Sequence, residues 1–239
     1  MAYEGLMVSV SGVRGRVGEA LTPEIMAKFA AGFGAWAKKR AGDGKAVIVV
    51  GRDSRVSGPM FQPVVISALQ SVGCDVMDVG MAPTPTIQLA VEHHHAAGGL
   101  AITASHNPIE WNALKFIGPS GLFLDGAEAA EMRGVVDGDI PRAQWNEIGS
   151  ISSDTGAIAR HIALVLALPF VDVEGIQRRE FHVALDCVHG AGGGFMPERL
   201  RKLGCRVSAI NLETDGLFPR SPEPIAENLG ELEALVKSS

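Results

Sequence analysis

Gly99-Leu100-Ala101-Ile102-Thr103-Ala104-Ser105-His106-Asn107-Pro108 runs from an apolar segment into a polar turn. Residues 99–103 read as a strand, and the Ser-His-Asn-Pro that follows is turn-forming. The segment therefore places a hydroxyl, Ser105, at the carboxyl end of a strand, where ligands collect in open α/β sheets. His106 and Asn107 flank it, and Lys115 follows ten residues on. A hydroxyl beside a proton-transfer group and upstream of a cation suits a nucleophile that carries a phosphate. A plain turn without chemistry is the competing reading.

Outward from this segment, helices and strands alternate, which predicts α/β layers around a parallel or mixed sheet. Thr22-Pro23-Glu24 opens a helix, with Thr22 as N-cap and Pro23 at the first helical position. Ile25, Phe29, Phe33, Trp36 and Ala37 share one face of it. Lys38-Lys39-Arg40 suit its negative end, and Ala41-Gly42-Asp43-Gly44 make the exit turn. Residues 46–50 form a continuous apolar run, the pattern of a strand covered on both faces. A helix (59–72), a strand (75–79) and a helix (84–93) lead to the 99–103 strand. Residues 113–117 and 122–124 flank Gly118-Pro119-Ser120-Gly121 as a hairpin, and 127–136 reads as a helix.

Residues 137–156 are rich in Gly, Ser and Asp with little periodicity. A boundary there divides the chain into units 1–148 and 149–239. The second unit carries a helix (157–168), a strand (181–188), a glycine-rich stretch (190–194), a helix (196–203), a strand (205–210) and a last helix near 232–236. The glycine spacing matches neither GxGxxG nor a Walker loop, so a tight backbone turn is favoured over a nucleotide cradle.

The chain has 239 residues, 46% hydrophobic and 20% charged, with a formal net charge of −6. That is ordinary globular composition, and it offers no basic footprint for nucleic acid. Cys74, Cys187 and Cys205 lie in apolar or strand-like surroundings without CxxC spacing. They read as free buried thiols in a reducing compartment, not as a disulfide or zinc framework. No apolar run reaches the length of a membrane span, and Met-Ala-Tyr-Glu-Gly-Leu lacks a signal-peptide pattern. No membrane association and a cytoplasmic location are the resulting expectations. His93-His94-His95 ends a helix; consecutive residues do not share a helix face, so the triplet reads as a solvated terminus rather than a metal site.

Four segments together resemble the α-D-phosphohexomutases. Thr103-Ala104-Ser105-His106-Asn107-Pro108 is similar to that family's phosphoserine loop, and it continues into Trp111-Asn112-Ala113-Leu114-Lys115-Phe116. Ser11-Gly12-Val13-Arg14-Gly15, the run from Gly51 through Arg52, Asp53, Ser54, Arg55, Val56 and Ser57 to Gly58, and the run Pro222-Glu223-Pro224-Ile225-Ala226-Glu227-Asn228-Leu229 match in the expected order. The resemblance implies two tandem three-layer α/β/α domains with mixed sheets, the N-terminal half of a four-domain phosphohexomutase. It implies that Ser105 carries a phosphate and donates it to a hexose monophosphate by way of a hexose 1,6-bisphosphate. It also implies that Arg14 reaches the transferring phosphoryl group, with Ser11 and Gly12 shaping its loop. A planar guanidinium matches phosphate oxygens bidentately, which lysine cannot do.

His106 and Asn107 are candidate phosphate or substrate contacts. In extended geometry Ser105 and His106 point apart, so a direct couple is not expected; a turn histidine is the alternative. Lys115, in the apolar run Ala-Leu-Lys-Phe-Ile, is a candidate general acid/base and phosphate contact if neighbouring cations and burial lower its pKa; a solvated strand lysine is the alternative. Arg52, Asp53 and Arg55 read equally as an ion-pair scaffold or as functional groups. Magnesium is implied through the Ser105 phosphate, with the other ligands in an absent third domain, because one oxygen cannot make an octahedral site. Domains III and IV of a longer chain are the implied partners, and the 239 residues alone are expected to be inactive. Trp-Asn-Ala-Leu-Lys and Ser-Gly-Val-Arg-Gly look closer to phosphoglucosamine mutases than to phosphoglucomutase/phosphomannomutase, though the sugar-reading loop is missing. A non-catalytic binding module on this fold and a serine hydrolase are the alternative functions. The hydrolase lacks its Gly-x-Ser-x-Gly elbow here.

Overall fold

The computed structural model describes residues 5–42 and 45–239. Asp43 and Gly44 of the expected exit turn, and residues 1–4 of the N-terminal reading, lie outside the described residues. The chain divides into two compact units. The first comprises Met1–Asp53, Ser57–Ala104 and Glu110–Ala157. The second comprises Ile158–Ser239 with two short segments, Ser54–Val56 and Ser105–Ile109.

In chain order the first unit holds β1 (Met7–Ser9), β2 (Gly12–Arg16), α1 (Pro23–Ala41), β3 (Val47–Arg52), α2 (Gly58–Gln70) and β4 (Asp75–Met81). It continues with α3 (Thr84–His93), β5 (Gly98–Ile102), β6 (Trp111–Ile117), α4 (Gly126–Asp137) and β7 (Ile151–Ser153). Its sheet has the order β1-β2-β6-β5-β3-β4-β7. The β4-β3-β5 centre and the β4–β7 pair are parallel, whereas β6 runs antiparallel to both β5 and β2. Local chemistry sets the helix starts. Thr22 Oγ1 accepts from the Ile25 N–H, with Pro23 in the first turn, and Asp125 and Glu128 form a reciprocal capping box at α4.

α1, α2 and α4 cover one face of the sheet. There Phe29 and Phe33 of α1 stack on Phe116 of β6, with ring centroids 6.3 and 5.6 Å apart. α3 covers the other face, where Ile87 and Val91 pack over Gly51 and Gly99. Cys74 is fully buried and its thiol donates to Gly34 O at 3.3 Å. Burial pushes that thiol up to about 11, with Lys38 opposing and Asp75 reinforcing the shift.

Several sequence expectations change here. The Arg14 segment, read as a loop, is the strand β2. The first unit extends past residue 148, because β7 pairs with β4 through Val76↔Ile151 to Asp78↔Ser153. The 113–124 hairpin reduces to a single bridge, Ile117↔Phe123. His94 is not a solvated terminus, since its Nε2 lies 2.8 Å from Asp154 Oδ2.

The second unit holds α5 (Ala157–Leu166, all but its first residue), α6 (Val173–Arg179), β8 (His182–Asp186), α7 (Met196–Lys202), β9 (Arg206–Ile210) and α8 (Gly230–Ser238), with a 3-10 turn at Ala226–Asn228. β8 and β9 pair in parallel, from His182↔Arg206 to Asp186↔Ile210. The glycine-rich stretch after β8 is a set of tight turns: Gly190 N–H donates to Cys187 O and Gly193 N–H to Gly190 O. A side chain at Gly193 would overlap the Leu212 carbonyl. At the end of β8, Asp186 Oδ2 accepts from Arg220 Nε at 2.9 Å and Nη2 at 2.6 Å. Burial pushes the Asp186 carboxyl up, but Asn211, Arg220 and the Val188 N–H together hold it below the usual carboxylate range. Among the described residues, no helix is long and apolar enough to cross a membrane.

Two outcomes follow. Phe116→Ala removes a fully buried ring from the α1–β6 stack, and urea unfolding should register a loss of about 3–5 kcal/mol. Because the Asp186 pKa is depressed in the folded state, its stabilisation is present above the unfolded pKa and is lost as pH falls through the folded one. Acid titration followed at second-unit NMR resonances should show this loss, and Asp186→Asn should flatten it.

Candidate active site

In the first unit, the connection from β3 through α2 leads to β4 on one side, and the next connection through α3 leads to β5 on the other side of β3. The strand order reverses between β3 and β5, and a crevice beyond the carboxyl ends of such strands is where open α/β sheets hold ligands. Asp53 and Thr103 sit there, one residue past β3 and β5 respectively. The Asp53 N–H donates to Ile102 O at 3.1 Å, and the Thr103 hydroxyl donates to Asp53 Oδ2 at 2.6 Å.

Register brings two cations to the same face. Ala101 and Gly12 both oppose Lys115, and Arg14 opposes Ala113. Opposed residues, and residues two apart, share a face, so Arg14 and Lys115 are diagonal neighbours across β2–β6. Lys115 is half-buried and its Nζ lies 5.5 Å from the Phe123 ring centroid. Burial lowers the Lys115 pKa, the Asp53 carboxylate raises it and the Arg14 guanidinium lowers it; the balance falls below the ordinary lysine value. An amine of that kind gives up and takes back a proton nearer neutrality than a solvated lysine does. Ser11 lies in the β1–β2 turn, where its hydroxyl is 3.3 Å from Ser9 Oγ and its carbonyl accepts the Phe116 N–H.

The second unit contains the remaining residues. Ser105 is exposed, with φ +58°, the left-handed region. This backbone undoes the divergence expected from extended geometry: Ser105 Oγ is 3.4 Å from His106 Nδ1, a long hydrogen bond. His106 Nε2 faces Glu223 Oε2 at 2.9 Å. Glu223 belongs to the Pro222–Leu229 segment, which sequence reading singled out without giving it a partner. Asn107 contributes its carbonyl to Arg55.

The 52–55 segment is tied down by several contacts. Arg52 bonds Gln62 and Asp53 O, Asp53 bonds Thr103, and Arg55 bonds backbone carbonyls of the Ser105 loop. Among the described residues, no group of three His, Cys, Asp or Glu could hold a metal ion. The described residues therefore do not make a complete magnesium site, which takes six oxygen ligands.

The phosphoglucomutase/phosphomannomutase alpha/beta/alpha domain I pattern matches residues 6–139, and the domain II pattern matches residues 159–239. The chain is 44% identical over 236 residues to a "Phosphoglucomutase/phosphomannomutase" of Thermococcus kodakarensis, covering 98% of this chain and 51% of the relative. It is 36% identical over 236 residues to a "Probable phosphoglucosamine mutase" of Methanopyrus kandleri, covering 98% and 50%. A crystal structure of a phosphoglucomutase/phosphomannomutase family protein from Burkholderia thailandensis superposes with a TM-score of 0.79 at 25% identity, covering 98% and 51%. The chain belongs to the phosphoglucomutase/phosphomannomutase family. It spans about half the length of the curated relatives it matches.

The electrostatics around Lys115 give a signed test. Asp53→Asn removes the charge that favours the ammonium, so the Lys115 pKa should fall further; Arg14→Gln should let it rise. NMR titration of the Lys115 side chain in both variants reads each direction separately.

Proposed function

We propose that this chain is the nucleophile-bearing part of a hexose-phosphate mutase that interconverts 1-phospho and 6-phospho sugars. The observation that carries the reading is Ser105. In a chain of this family, the Thr-Ala-Ser-His-Asn-Pro loop presents an exposed hydroxyl in a left-handed turn just after β5. In the first half-reaction the bond between phosphorus and Ser105 Oγ breaks, and a bond forms from phosphorus to the free sugar hydroxyl. The proton of that hydroxyl passes by way of the neutral Lys115 amine to the departing Ser105 Oγ, which leaves as a hydroxyl. In the second half-reaction Ser105 Oγ attacks the other phosphate of the bisphosphate, the bond from that phosphorus to the sugar oxygen breaks, and the Ser105 proton passes by way of the same amine to the departing sugar oxygen. Arg14 neutralises phosphoryl oxygens, and Glu223 orients the His106 imidazole. Such transfers depend mainly on positioning and charge neutralisation.

The relatives are about twice as long, and on this reading the 239 residues alone turn over far more slowly than a protein containing them. Their names span phosphoglucomutase/phosphomannomutase and phosphoglucosamine mutase, so glucose, mannose and glucosamine phosphates are the substrates to assay.

A second reading has one observation in its favour. Ser105, His106 and Glu223 stand in line at 3.4 and 2.9 Å, a nucleophile–imidazole–carboxylate order. The long first contact and the absence of a Gly-x-Ser-x-Gly elbow weigh against a hydrolase.

In active protein containing this chain, mass spectrometry should place one phosphate on Ser105. Ser105→Ala should lower turnover of the hexose 1-phosphates by about a thousandfold or more. A phosphate on a different residue would sink the mutase mechanism, and an acyl group trapped on Ser105 from an activated ester would transfer the case to the hydrolase.

A further inference from the structure

Arg55 has no solvent exposure. A buried guanidinium is tolerated when its donors find acceptors, and here they find the backbone of one turn. Nη1 donates to Pro108 O at 2.7 Å, and Nη2 donates to Asn107 O at 2.7 Å and Ser105 O at 3.0 Å. The Phe218 ring stacks on the same guanidinium, 5.1 Å from its centroid to Cζ. Three carbonyls within four residues are thus turned inward onto one cation, and the residue that begins the set is Ser105, with its left-handed φ of +58°. Non-glycine residues keep such a backbone only where their surroundings over-determine it.

The segment carrying Arg55 is itself fixed. Ser54 Oγ donates to His189 O at 2.8 Å. Gly216 lies so close to the Ser54–Arg55 backbone that a side chain there would overlap Ser54 O. The His189 ring sits between Asp215 Oδ1 at 2.8 Å and Glu213 Oε2 at 3.1 Å, which braces the loop beneath.

We propose that Arg55 is a positioning residue for the reaction: it holds Ser105 in the strained, outward-facing pose in which the hydroxyl accepts and donates phosphate. This rests on the reading of Ser105 as the phosphate carrier. Lysine keeps the charge but has one nitrogen, so it cannot reach three carbonyls in this fork geometry. Arg55→Lys should remain folded by circular dichroism. Hydrogen exchange at the amides of residues 105–107 should quicken about tenfold or more while β8 and β9 stay protected. Turnover should fall about 10- to 100-fold with KM within about twofold, because substrate still binds but meets a displaced nucleophile.

Unchanged exchange at 105–107 in the folded variant overturns the proposal, and so does equal quickening across the whole second unit, which marks a merely structural residue. Should Arg55→Lys fail to fold, Phe218→Leu decides by the same readouts, with a smaller change in the same direction; a loop left fully protected overturns the clamp. A loosened loop with unaltered turnover removes the positioning role. If the phosphate in that protein also lies elsewhere than on Ser105, the fault is in the nucleophile assignment, since the exchange result stands without it.

Discussion

β6 is pinned between two antiparallel neighbours, and its alternation divides the first unit into a stabilising side and a chemical side. Leu114 and Phe116 enter the core under α1, while Lys115, between them, faces the other way beside Arg14. A one-residue slip would exchange these roles, driving an ammonium under Phe29 and Phe33 and bringing an aromatic ring to the crevice. The apolar packing that stabilises the sheet therefore also fixes the register that puts two cations and the Asp53–Thr103 pair on one face. Stability and chemistry are set by the same strand.

Much of this order can be read from residue types alone. Thr22 and Pro23 mark the start of α1, and the 84–93 helix falls where the sequence places it. The elements that escape reading lack a signal of their own. β2 is Gly-Val-Arg-Gly-Arg, with one large apolar residue, and it is a strand because β6 offers it a ladder. β7 is Ile-Ser-Ser inside a polar stretch, so its pairing with β4 is invisible until the sheet is assembled.

The site divides in the same way. Ser105, Lys115 and Arg14 stand out in the sequence as candidates because the chemistry proposed for them resides in their side chains. Arg55 does not, because its partners are peptide carbonyls, which every residue has and no sequence pattern distinguishes. The closeness of Ser105 to His106 is hidden for a related reason: it depends on a left-handed backbone that a serine rarely adopts. Glu223 meets His106 from a distant part of the chain, which no local spacing can encode.

The three thiols described above divide between the units, Cys74 in the first and Cys187 with Cys205 in the second. Each is buried, and Cys74 is held as a neutral thiol by its surroundings. A thiolate is the reactive form, so labelling must wait for the local structure to open. The chain thus carries its own pair of clocks: reagent arriving at Cys74 dates the opening of one unit, and reagent arriving at Cys187 and Cys205 dates that of the other.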